Sequence, residues 1–537
     1  MKTGVNILLA LLYISVFCGT GGATVRHVPS EYPTIQAAIN ASANGDTVLV
    51  EEGTYKENIV ITKKITVGSV FILDGDTAHI SRTIIDGSQP PNPTSAAVVT
   101  IDGATDTTTI VAGFTLTGGR GNLRTVNYPP LTYEMIVGTG VDIAGGGARI
   151  RHNIVRGNNC GAPGMPVGGV INIFDVADRN GISYAIVESN TIVDNTLVGS
   201  DVEGGAFAIG HNSTIRDNLI ARNTIQGALD PAFGAAFQIW NGLVKIERNR
   251  IVENRTSHLG GGLYASAVLQ LNMAPNIEMV NNIIAENVAG TYGGGLFAEV
   301  VGATVRMVNN TFASNTAAGG GAGLAIQTGA TVSALNTILW DSSASEVVTA
   351  TGGSFIASYC DVAGGFAGTG NIDADPAFVS GDPFLGLDTT SPCIGRGIDS
   401  MQLNGTWLHA PAVDIDGHPR PMPPGPQQCD IGAREEQFTV DAPDTRWQVP
   451  REFVLRQNNP NPFNPTTCIR FQVPGVSDVK LVVYDLLGKE VAVLLNERKA
   501  PGHYEVSFNG SGLGSGVYIY RLIAGSFVAS KRMVLLK

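Results

Sequence analysis

Short apolar runs alternate with polar or glycine-rich turns along most of this chain, and they return at nearly regular intervals. The clearest marker is the pattern Asn-x-apolar-x-x-Asn. Its copies begin at Asn153, Asn190, Asn218, Asn249, Asn282 and Asn310, and a degenerate copy runs from Asn336 to Asp341. The starting asparagines lie 37, 28, 31, 33, 28 and 26 residues apart, with glycine clusters between them. Each interval therefore predicts one structural repeat made of short strands and tight turns.

Repeats of this length and composition predict a parallel β-helix, in which each coil stacks on the next. A single coil cannot bury its own apolar face, so neighbouring coils must cover it. Asparagine suits the corner of a coil because it tolerates left-handed backbone angles and its amide can hydrogen-bond to the next coil. Glycine permits the positive φ of a sharp turn. The sequence shows neither a leucine framework nor four strands per repeat, so the predicted fold class is all-β, a solenoid rather than a leucine-rich repeat or a propeller.

The start of the repeat region has its own order of elements. Pro33–Ile39 predicts a short helix with Ile35 and Ile39 on one face, and Thr47–Val50 and Ile59–Ile61 predict strands. The helix would cover the open end of the coil, where bare strand edges invite aggregation. This order resembles the opening of the pectin-lyase-like right-handed β-helix superfamily. Together with the asparagine repeats, the resemblance spans residues 26–360.

The C-terminal stretch predicts a separate small β-sandwich. Alternating strands are expected at Cys468–Val473, Val479–Tyr484, Tyr504–Phe508 and Val517–Leu522. The motifs Asn459-Pro-Asn-Pro-Phe-Asn-Pro-Thr-Thr467, Tyr484-Asp-Leu-Leu-Gly488 and Lys531-Arg-Met-Val534 resemble the type A C-terminal sorting domain of the type IX secretion system. The resemblance implies transfer across an outer membrane, with the type IX secretion machinery as a partner. An ordinary immunoglobulin-like adhesion module is the alternative.

A third region lies between the repeats and the sandwich. The segments Asn371–Phe378, Ser391–Ile394, Asp414–Gly417 and Asp430–Gly432 resemble the choice-of-anchor Q region, which follows the β-helix in many bacterial surface proteins. Arg434 stands where that region has a tyrosine. The resemblance therefore bears on architecture more than on a site.

The first residues have the form of a secretory signal peptide. Lys2 precedes an apolar run of 11 residues, Ile7–Phe17, and small residues follow through Ala23. This run is shorter than the roughly 20 residues of a membrane span, and we expect no transmembrane segment in the mature chain. The expected domains are a signal peptide (1–23), a parallel β-helix with an N-terminal capping helix (24–360), an anchor-Q-like end and linker (361–440) and a sorting domain (445–537). We expect a monomer that is secreted or lies on the outer surface of a Gram-negative-type bacterium.

Composition narrows the functional classes. Of 537 residues, 67 are glycine, 43% are hydrophobic and only 15% are charged. This hydrophobic share can build a large core, and the glycines have no every-third-residue period, which excludes wholesale disorder and collagen. The net charge of −12 divides into +6 over Thr445–Lys537 and −18 over the rest. An acidic chain without a basic face is not expected to bind nucleic acid.

Cysteines are few and odd in number after the signal peptide. They are Cys160, Cys360, Cys393, Cys429 and Cys468. An exported protein can form disulfides, and Cys393 with Cys429 is the first pair we expect. At least one cysteine must stay unpaired, so the chain is not a disulfide scaffold.

The catalytic part of the superfamily resemblance does not carry over. The Gly-His-Gly, Gln-Asp and Arg-x-Pro-x-x-Arg sequences of its hydrolases, esterases and lyases do not occur in this chain. Weaker catalytic candidates lie in and after one polar loop: Asp175, Asp178, Arg179, Asp201 and Glu203. Acids and a base on stacked coils would bind Ca²⁺ and abstract a proton. A solvated loop is the alternative.

Two further sets of residues suggest binding. We expect an aromatic residue at the same coil position after successive glycine clusters: Phe207, Phe237, Tyr264 and Phe297. If their small neighbours point inward, these rings form an exposed ladder for sugar rings; burial in the core, or a purely stabilising ladder, is the alternative. Asp414 and Asp416 form an Asp-x-Asp-Gly sequence that would hold Ca²⁺, with an ordinary turn as the alternative.

These observations predict a secreted or cell-surface β-helix protein that binds polysaccharide or acts in adhesion. One alternative is a carbohydrate-active enzyme, a polysaccharide lyase or glycoside hydrolase, with an unfamiliar site between Asp175 and Glu203. The other is a purely structural stalk. No cofactor is expected apart from Ca²⁺.

Overall fold

Three long parallel sheets form the walls of a solenoid, as a computed structural model of the chain shows. The structure describes residues 23–536 except 104, 129–130, 175–183, 228–231, 267–273, 342–344, 383, 422–427, 437–452, 459–460, 475–476, 486–487, 500–501 and 526. In each full coil the chain passes through core sheet 1, then core sheet 2, then core sheet 3. The predicted all-β, parallel β-helix class is confirmed.

The three core sheets are built from short strands of two to five residues. Core sheet 1 consists of Val25–Val28, Thr47–Val50, Thr66–Ser69, Ile110–Ala112, Ala148–Arg151, Ala185–Glu188, Ser213–Arg216, Leu243–Glu247, Asn276–Val280, Thr304–Val308, Thr331–Leu335 and Ser354–Ser358. Core sheet 2 consists of Gly53–Tyr55, Thr83–Asp86, Thr115–Thr117, Ile154–Arg156, Thr191–Val193, Leu219–Ala221, Arg250–Val252, Ile283–Ala285, Thr311–Ala313, Ile338–Trp340 and Asp361–Val362. Core sheet 3 consists of Ile59–Ile61, Val99–Ile101, Val141–Ile143, Ile171–Ile173, Phe207–Ile209, Phe237–Ile239, Leu263–Ala265, Leu296–Ala298, Leu324–Ile326 and Val347–Thr349.

Two six-stranded sheets lie mostly in the longer connections between core sheets 2 and 3. The turn sheet consists of Cys160–Ala162, Thr196–Gly199, Thr224–Gly227, Arg255–Thr256, Val288–Ala289 and Thr316–Ala317. The flank sheet consists of Ser95–Ala96, Gly121–Tyr128, Leu131–Val137, Val167–Gly168, Val202–Glu203 and Ala232–Phe233. The strands Gly121–Tyr128 and Leu131–Val137 form an antiparallel hairpin that joins this sheet. The flank sheet matters for function because it borders core sheet 3.

Pairing in register stacks equivalent residues of successive coils. One inward row of core sheet 3 runs through Val141, Ile171, Phe207, Phe237, Leu263, Leu296 and Leu324. Every residue of this row is fully buried in the main core. Each such side chain contributes about 1.5–3 kcal/mol by leaving water. The cover for each coil comes from its neighbours, which explains why the apolar pattern must repeat.

The asparagines of the repeat form two continuous ladders at the corners on either side of core sheet 2. Their members are Asn153, Asn190, Asn218, Asn249, Asn282 and Asn310 in the first ladder, and Asn158, Asn195, Asn223, Asn254, Asn287 and Asn315 in the second. Except in the last member of each ladder, the side-chain amide donates to the amide oxygen on the next coil; Asn218 Nδ2 to Asn249 Oδ1 is 2.9 Å. The left-handed backbone falls on the residue before each asparagine, such as Asp217 and Arg248, not on the asparagine itself. Hydrogen bonding between coils is thus the reason for asparagine here.

The degenerate last copy is shifted by one residue from its predicted alignment. Thr337, not Asn336, takes the place that follows Asn310, because the Asn310 backbone N–H donates to Thr337 Oγ1. Asn336 instead has the positive φ of the preceding position. Asp341 takes the place after Asn315. Both ladders therefore end on a different residue type.

A helix closes the N-terminal end of the solenoid, as predicted. It spans Ile35–Ala41, and Ile35, Ala38 and Ile39 are buried against the first coil. Thr34 caps it by accepting a hydrogen bond from the Ala37 backbone N–H, so the helix begins two residues after Pro33. Two shorter helices, Phe71–Asp74 and Ala78–Arg82, follow.

The region after the solenoid turns back onto core sheet 2. Ile431 and Cys393 pack on Ile338, and Ile415 and Ala433 pack on Ile283. A hairpin of Ser400–Leu403 and Thr406–His409 packs on Val308 and Leu335. This segment thus covers part of the outer surface of the last coils.

The C-terminal region is an antiparallel β-sandwich, as predicted. One sheet contains Val454–Leu455, Thr466–Val473 and Gly502–Asn509. The other contains Ser477–Tyr484, Glu490–Lys499, Gly516–Ala524 and Phe527–Leu535. The two sheets share a core in which Tyr520, Phe471 and Leu481 are fully buried.

Candidate functional site

The four aromatic residues predicted as one exposed ladder belong to two different rows of core sheet 3. Phe207 pairs with Phe237 and both enter the core, but the next residue in that row is Leu263. Tyr264 and Phe297 pair with each other in the adjacent row, which points outward into a separate cluster. At most 4% of any of the four residues is exposed. The prediction of an exposed aromatic platform is therefore wrong.

The first glycine of each turn fixes this register. Gly204, Gly234, Gly260 and Gly293 have positive φ, and the third residue after each of them enters the core. A Cβ atom on Gly204 would lie 2.1 Å from the carbonyl oxygen of Phe207, so only glycine allows this turn. Phe207 is the third residue after its glycine and Tyr264 is the fourth. The inward and outward rows can therefore be told apart in the sequence by counting residues from the turn glycine.

The residues that precede the turn glycines form a row of their own, which lies beside the outward-pointing row that contains Tyr264 and Phe297. Glu203 pairs with Phe233, and Phe233 is bridged to Leu259, so the three stack on successive coils. The Phe233 ring stacks on Tyr264 with centroids 4.7 Å apart, and Tyr264 stacks on Phe297 at 5.6 Å. The Tyr264 hydroxyl donates to the carboxylate of Glu299.

These contacts, together with the charge of Asp201 that acts on Glu203 and Tyr264, define one site on the outward face of core sheet 3. It consists of Asp201, Glu203, Phe233, Tyr264 and Glu299, and we call it the acidic aromatic site. All but Tyr264 are partly exposed, so the site reaches solvent. It combines hydrogen-bond acceptors with an aromatic face, which suits a ligand rich in hydroxyl groups.

Burial and mutual repulsion raise the proton affinity of the site. Burial, and after it the negative charge of Asp201, raises the pKa of Glu203 to about 7. Burial also raises the pKa of Tyr264, with further increases from the Glu299, Glu203 and Asp201 charges. The pKa of Tyr133, on the hairpin, is raised by burial and by Glu203 and Asp201. Glu203 therefore changes protonation near neutral pH and is able to donate or accept a proton.

The structure brings together only part of what the sequence predicted. Asp201 and Glu203 join one site with Tyr264, whereas Asp175, Asp178 and Arg179 lie outside the described residues. Sequence reasoning missed Phe233 and Tyr133. Phe233 occupies the same pre-glycine position as Glu203 one coil later, which was a usable signal. Tyr133 lies on a hairpin outside the repeat, so no periodicity pointed to it.

Toward the N-terminal coils the same outward face is closed by a hydrogen-bonded network. Arg124 donates two hydrogen bonds to Asp142 Oδ2, at 2.6 and 3.1 Å. Asn122 and Asn172 donate to the same buried carboxylate at 2.8 and 2.9 Å. Since Arg124 and Asn122 belong to the hairpin, this network fixes the hairpin to core sheet 3. The role of this network is therefore structural, unlike that of the partly exposed acids on the following coils of the solenoid.

Asp414 and Asp416 fix the turn at residues 414–418 and connect it to the solenoid; we call these contacts the clasp. Asp414 accepts backbone hydrogen bonds from Asp416, His418 and Glu435 at 2.8–2.9 Å. Asp416 lies 2.7 Å from Arg250 and 3.1 Å from Arg434. His418 completes a triad of metal-ligating residue types with them. Two guanidinium groups beside Asp416 disfavour a cation, so the structure supports the turn alternative over the Ca²⁺ site.

The expected pair of Cys393 and Cys429 is not formed in this structure. The described cysteines are not joined by disulfides. Cys393 Sγ lies 3.1 Å from Asp361 Oδ2, and Cys429 Sγ lies 3.5 Å from Asn336 Nδ2. The two thiols thus contact different residues of the last coils.

Comparison with protein families identifies two regions of the chain. Residues 139–339 match the family model for a right handed beta helix region, and residues 459–536 match the secretion system C-terminal sorting domain. No curated protein and no solved structure matches the chain. The chain thus contains a right-handed β-helix followed by a type IX secretion sorting domain.

The sorting domain defines where the protein goes. It directs the chain through type IX secretion to the cell surface or the extracellular space. Within the described ranges, no helix has the length and apolar character needed to cross a membrane. The likeness of residues 371–432 to the choice-of-anchor Q region stays a prediction.

Proposed function

We propose that this secreted protein binds a polysaccharide at the acidic aromatic site. The observation that carries the proposal is the convergence of partly exposed acids and an aromatic ring, from successive coils, on one strip of the outer wall. Glu203 and Glu299 accept hydrogen bonds from sugar hydroxyls, and the Phe233 ring offers a face for the apolar side of a sugar.

The repeating geometry favours a polymer over a small molecule. Adjacent strands lie about 4.8 Å apart, so equivalent positions of successive coils form a line along the solenoid axis. Glu203, Phe233 and Leu259 occupy such a line, and Tyr264 and Phe297 occupy the neighbouring one. A chain of sugars lying along this direction would meet several coils at once.

Titration calorimetry of the full-length protein against a panel of soluble polysaccharides tests the proposal. The variants Phe233→Ala and Glu203→Gln should weaken binding about tenfold, or ~1.4 kcal/mol. Trp407→Ala is the matched control, because Trp407 is 58% exposed on the hairpin that packs over core sheet 1. Equal affinity of all three variants and the parent would contradict the site.

Hydrolysis is a second candidate function, favoured by the pKa of Glu203 near 7. A protonated Glu203 would donate its proton to the glycosidic oxygen while a water molecule attacks the anomeric carbon and Asp201 accepts the water's proton. Release of reducing ends by the parent protein, lost in Glu203→Gln even at polysaccharide concentrations that saturate its weaker binding, would support hydrolysis. Binding without release of reducing ends would leave a binding protein. If the protein neither binds nor cleaves, it is a structural stalk.

A further inference from the structure

We propose that the acidic aromatic site selects glycans without carboxylate or sulfate groups. This inference rests on the proposed function and names its substrate class. It follows from the charge of the site, and it separates the protein from a binder of acidic polysaccharides.

Several acids elsewhere on the solenoid wall have arginine partners. Glu188 lies 2.9 Å from Arg149 and is also paired with Arg216. Asp194 pairs with Arg222 and Asp217 with Arg248, in each case across adjacent coils. At these positions the wall neutralises its own charge through ion pairs between coils.

Two acids of the acidic aromatic site, Glu203 and Glu299, differ from these paired acids. Among the described residues, neither Glu203 nor Glu299 forms an ion pair, and Glu299 accepts a hydrogen bond from the neutral Tyr264 hydroxyl. Within the described part of the chain, the charges that raise the pKa of Tyr264 are those of Glu299, Glu203 and Asp201, and those that raise the pKa of Tyr133 are those of Glu203 and Asp201. A ligand entering here meets a negative field with a low-dielectric wall behind it, which strengthens that field.

Such a field discriminates by ligand charge. A carboxylate about 4 Å from one site carboxylate is disfavoured by about 1 kcal/mol in water, which is roughly fivefold in affinity. At a pH of about 8.5, where Glu203 is ionised, two site carboxylates therefore reduce binding of a uronic-acid polymer by at least about tenfold at low salt. Sugar hydroxyl and amino groups, by contrast, donate hydrogen bonds to these same oxygens.

Binding of three matched polymers to the full-length protein tests the inference. At a pH of about 8.5 and low salt, a neutral xylan and a neutral glucan should bind, and polygalacturonate should bind at least about tenfold more weakly. The double variant Glu203→Gln, Glu299→Gln should narrow the gap between the neutral and acidic polymers severalfold. The amide oxygen of a glutamine at position 299 still accepts the Tyr264 hydrogen bond, so the fold of the site is kept.

Glu278→Gln is the control variant, because Glu278 is a partly exposed acid on core sheet 1. It should leave the ratio of the two affinities unchanged. Tighter binding of polygalacturonate than of the neutral polymers by the parent, or an unchanged ratio in the double variant, would overturn the charge selection while leaving polysaccharide binding intact. Absence of binding to every polymer would instead contradict the proposed function.

Discussion

The asparagine ladders and the acidic aromatic site lie on the same coils but follow opposite rules. In the ladders, one residue type recurs and every amide is used; Asn249 donates to Ile215 O and Asn282 Oδ1 and accepts from Asn218. In the site, equivalent positions hold different residues, Glu203 and then Phe233. Regular repetition builds the scaffold, and chemistry lies where the repetition breaks.

The two regions also differ in how they treat buried polarity. The ladders satisfy neutral amides completely, which costs little and ties coils together. The site instead keeps carboxyl groups beside aromatic rings, and the pKa of Glu203 rises to about 7 as a result. A perturbed acid that is also partly exposed is a candidate functional group.

Breaking a ladder should have the largest effect. Asn249→Ala removes three donated hydrogen bonds and leaves the buried Asn218 amide without its acceptor on the next coil. We expect the free energy of unfolding to fall by about 3–5 kcal/mol. Chemical denaturation followed by circular dichroism measures this. Glu203→Gln is the comparison variant at the site, and a loss as large as that of Asn249→Ala would contradict the distinction.

A turn glycine should show an intermediate effect that couples the scaffold to the site. Gly204→Ala places a Cβ 2.1 Å from the Phe207 carbonyl oxygen at a φ of +78°. We expect a loss of about 2 kcal/mol or more and weaker ligand binding, because Glu203 directly precedes this glycine. Gly75→Ala is the control, since its φ is also positive but no atom lies near its Cβ. Equal losses in both variants would show that backbone strain, not the close contact, dominates.

The same contrast explains what could be predicted from the sequence. Both ladders were predictable because a hydrogen bond between coils needs the same residue in each coil. Asparagines such as Asn190 and Asn218 therefore recur at regular intervals in the sequence. The site was predicted only in part, because Glu203, Phe233 and Tyr264 share no residue type and their register depends on the turn glycine. The predicted Cys393–Cys429 disulfide is absent for another reason. Both cysteines lie in the region that folds back onto the solenoid, and their thiols contact Asp361 and Asn336 there.

The acidic end of the second ladder should give stability a pH dependence. Asp341 accepts hydrogen bonds from Asn315, and its backbone N–H donates to the Glu346 carboxylate at 2.9 Å. Burial and the Asp341 charge raise the pKa of Glu346, so the folded state favours its protonated form. A raised pKa in the folded state gives stability that is present at acid pH and is lost as pH rises.

Glu346→Gln mimics the protonated acid at every pH. We expect its melting temperature to match that of the parent near pH 5 and to exceed it near pH 9. Thermal unfolding at the two pH values measures the difference. Glu278→Gln, at an exposed acid, should show no such trend. A Glu346→Gln variant that is equally shifted at both pH values would show that the pair does not hold a proton in the folded state.

The smallest effect on stability should come from the clasp, the contacts of Asp414 and Asp416 that connect the turn at residues 414–418 to the solenoid. Asp416→Asn weakens the contacts with Arg250 and Arg434, which are partly exposed ion pairs worth about 1 kcal/mol or less. We expect global stability to change little and limited proteolysis near residues 410–420 to become faster. Ca²⁺ should not protect the parent against this cleavage or raise its melting temperature, because both guanidinium groups already neutralise Asp416. Protection by Ca²⁺, lost in Asp416→Asn, would show that this turn binds metal after all and would make it a second functional site outside the repeats.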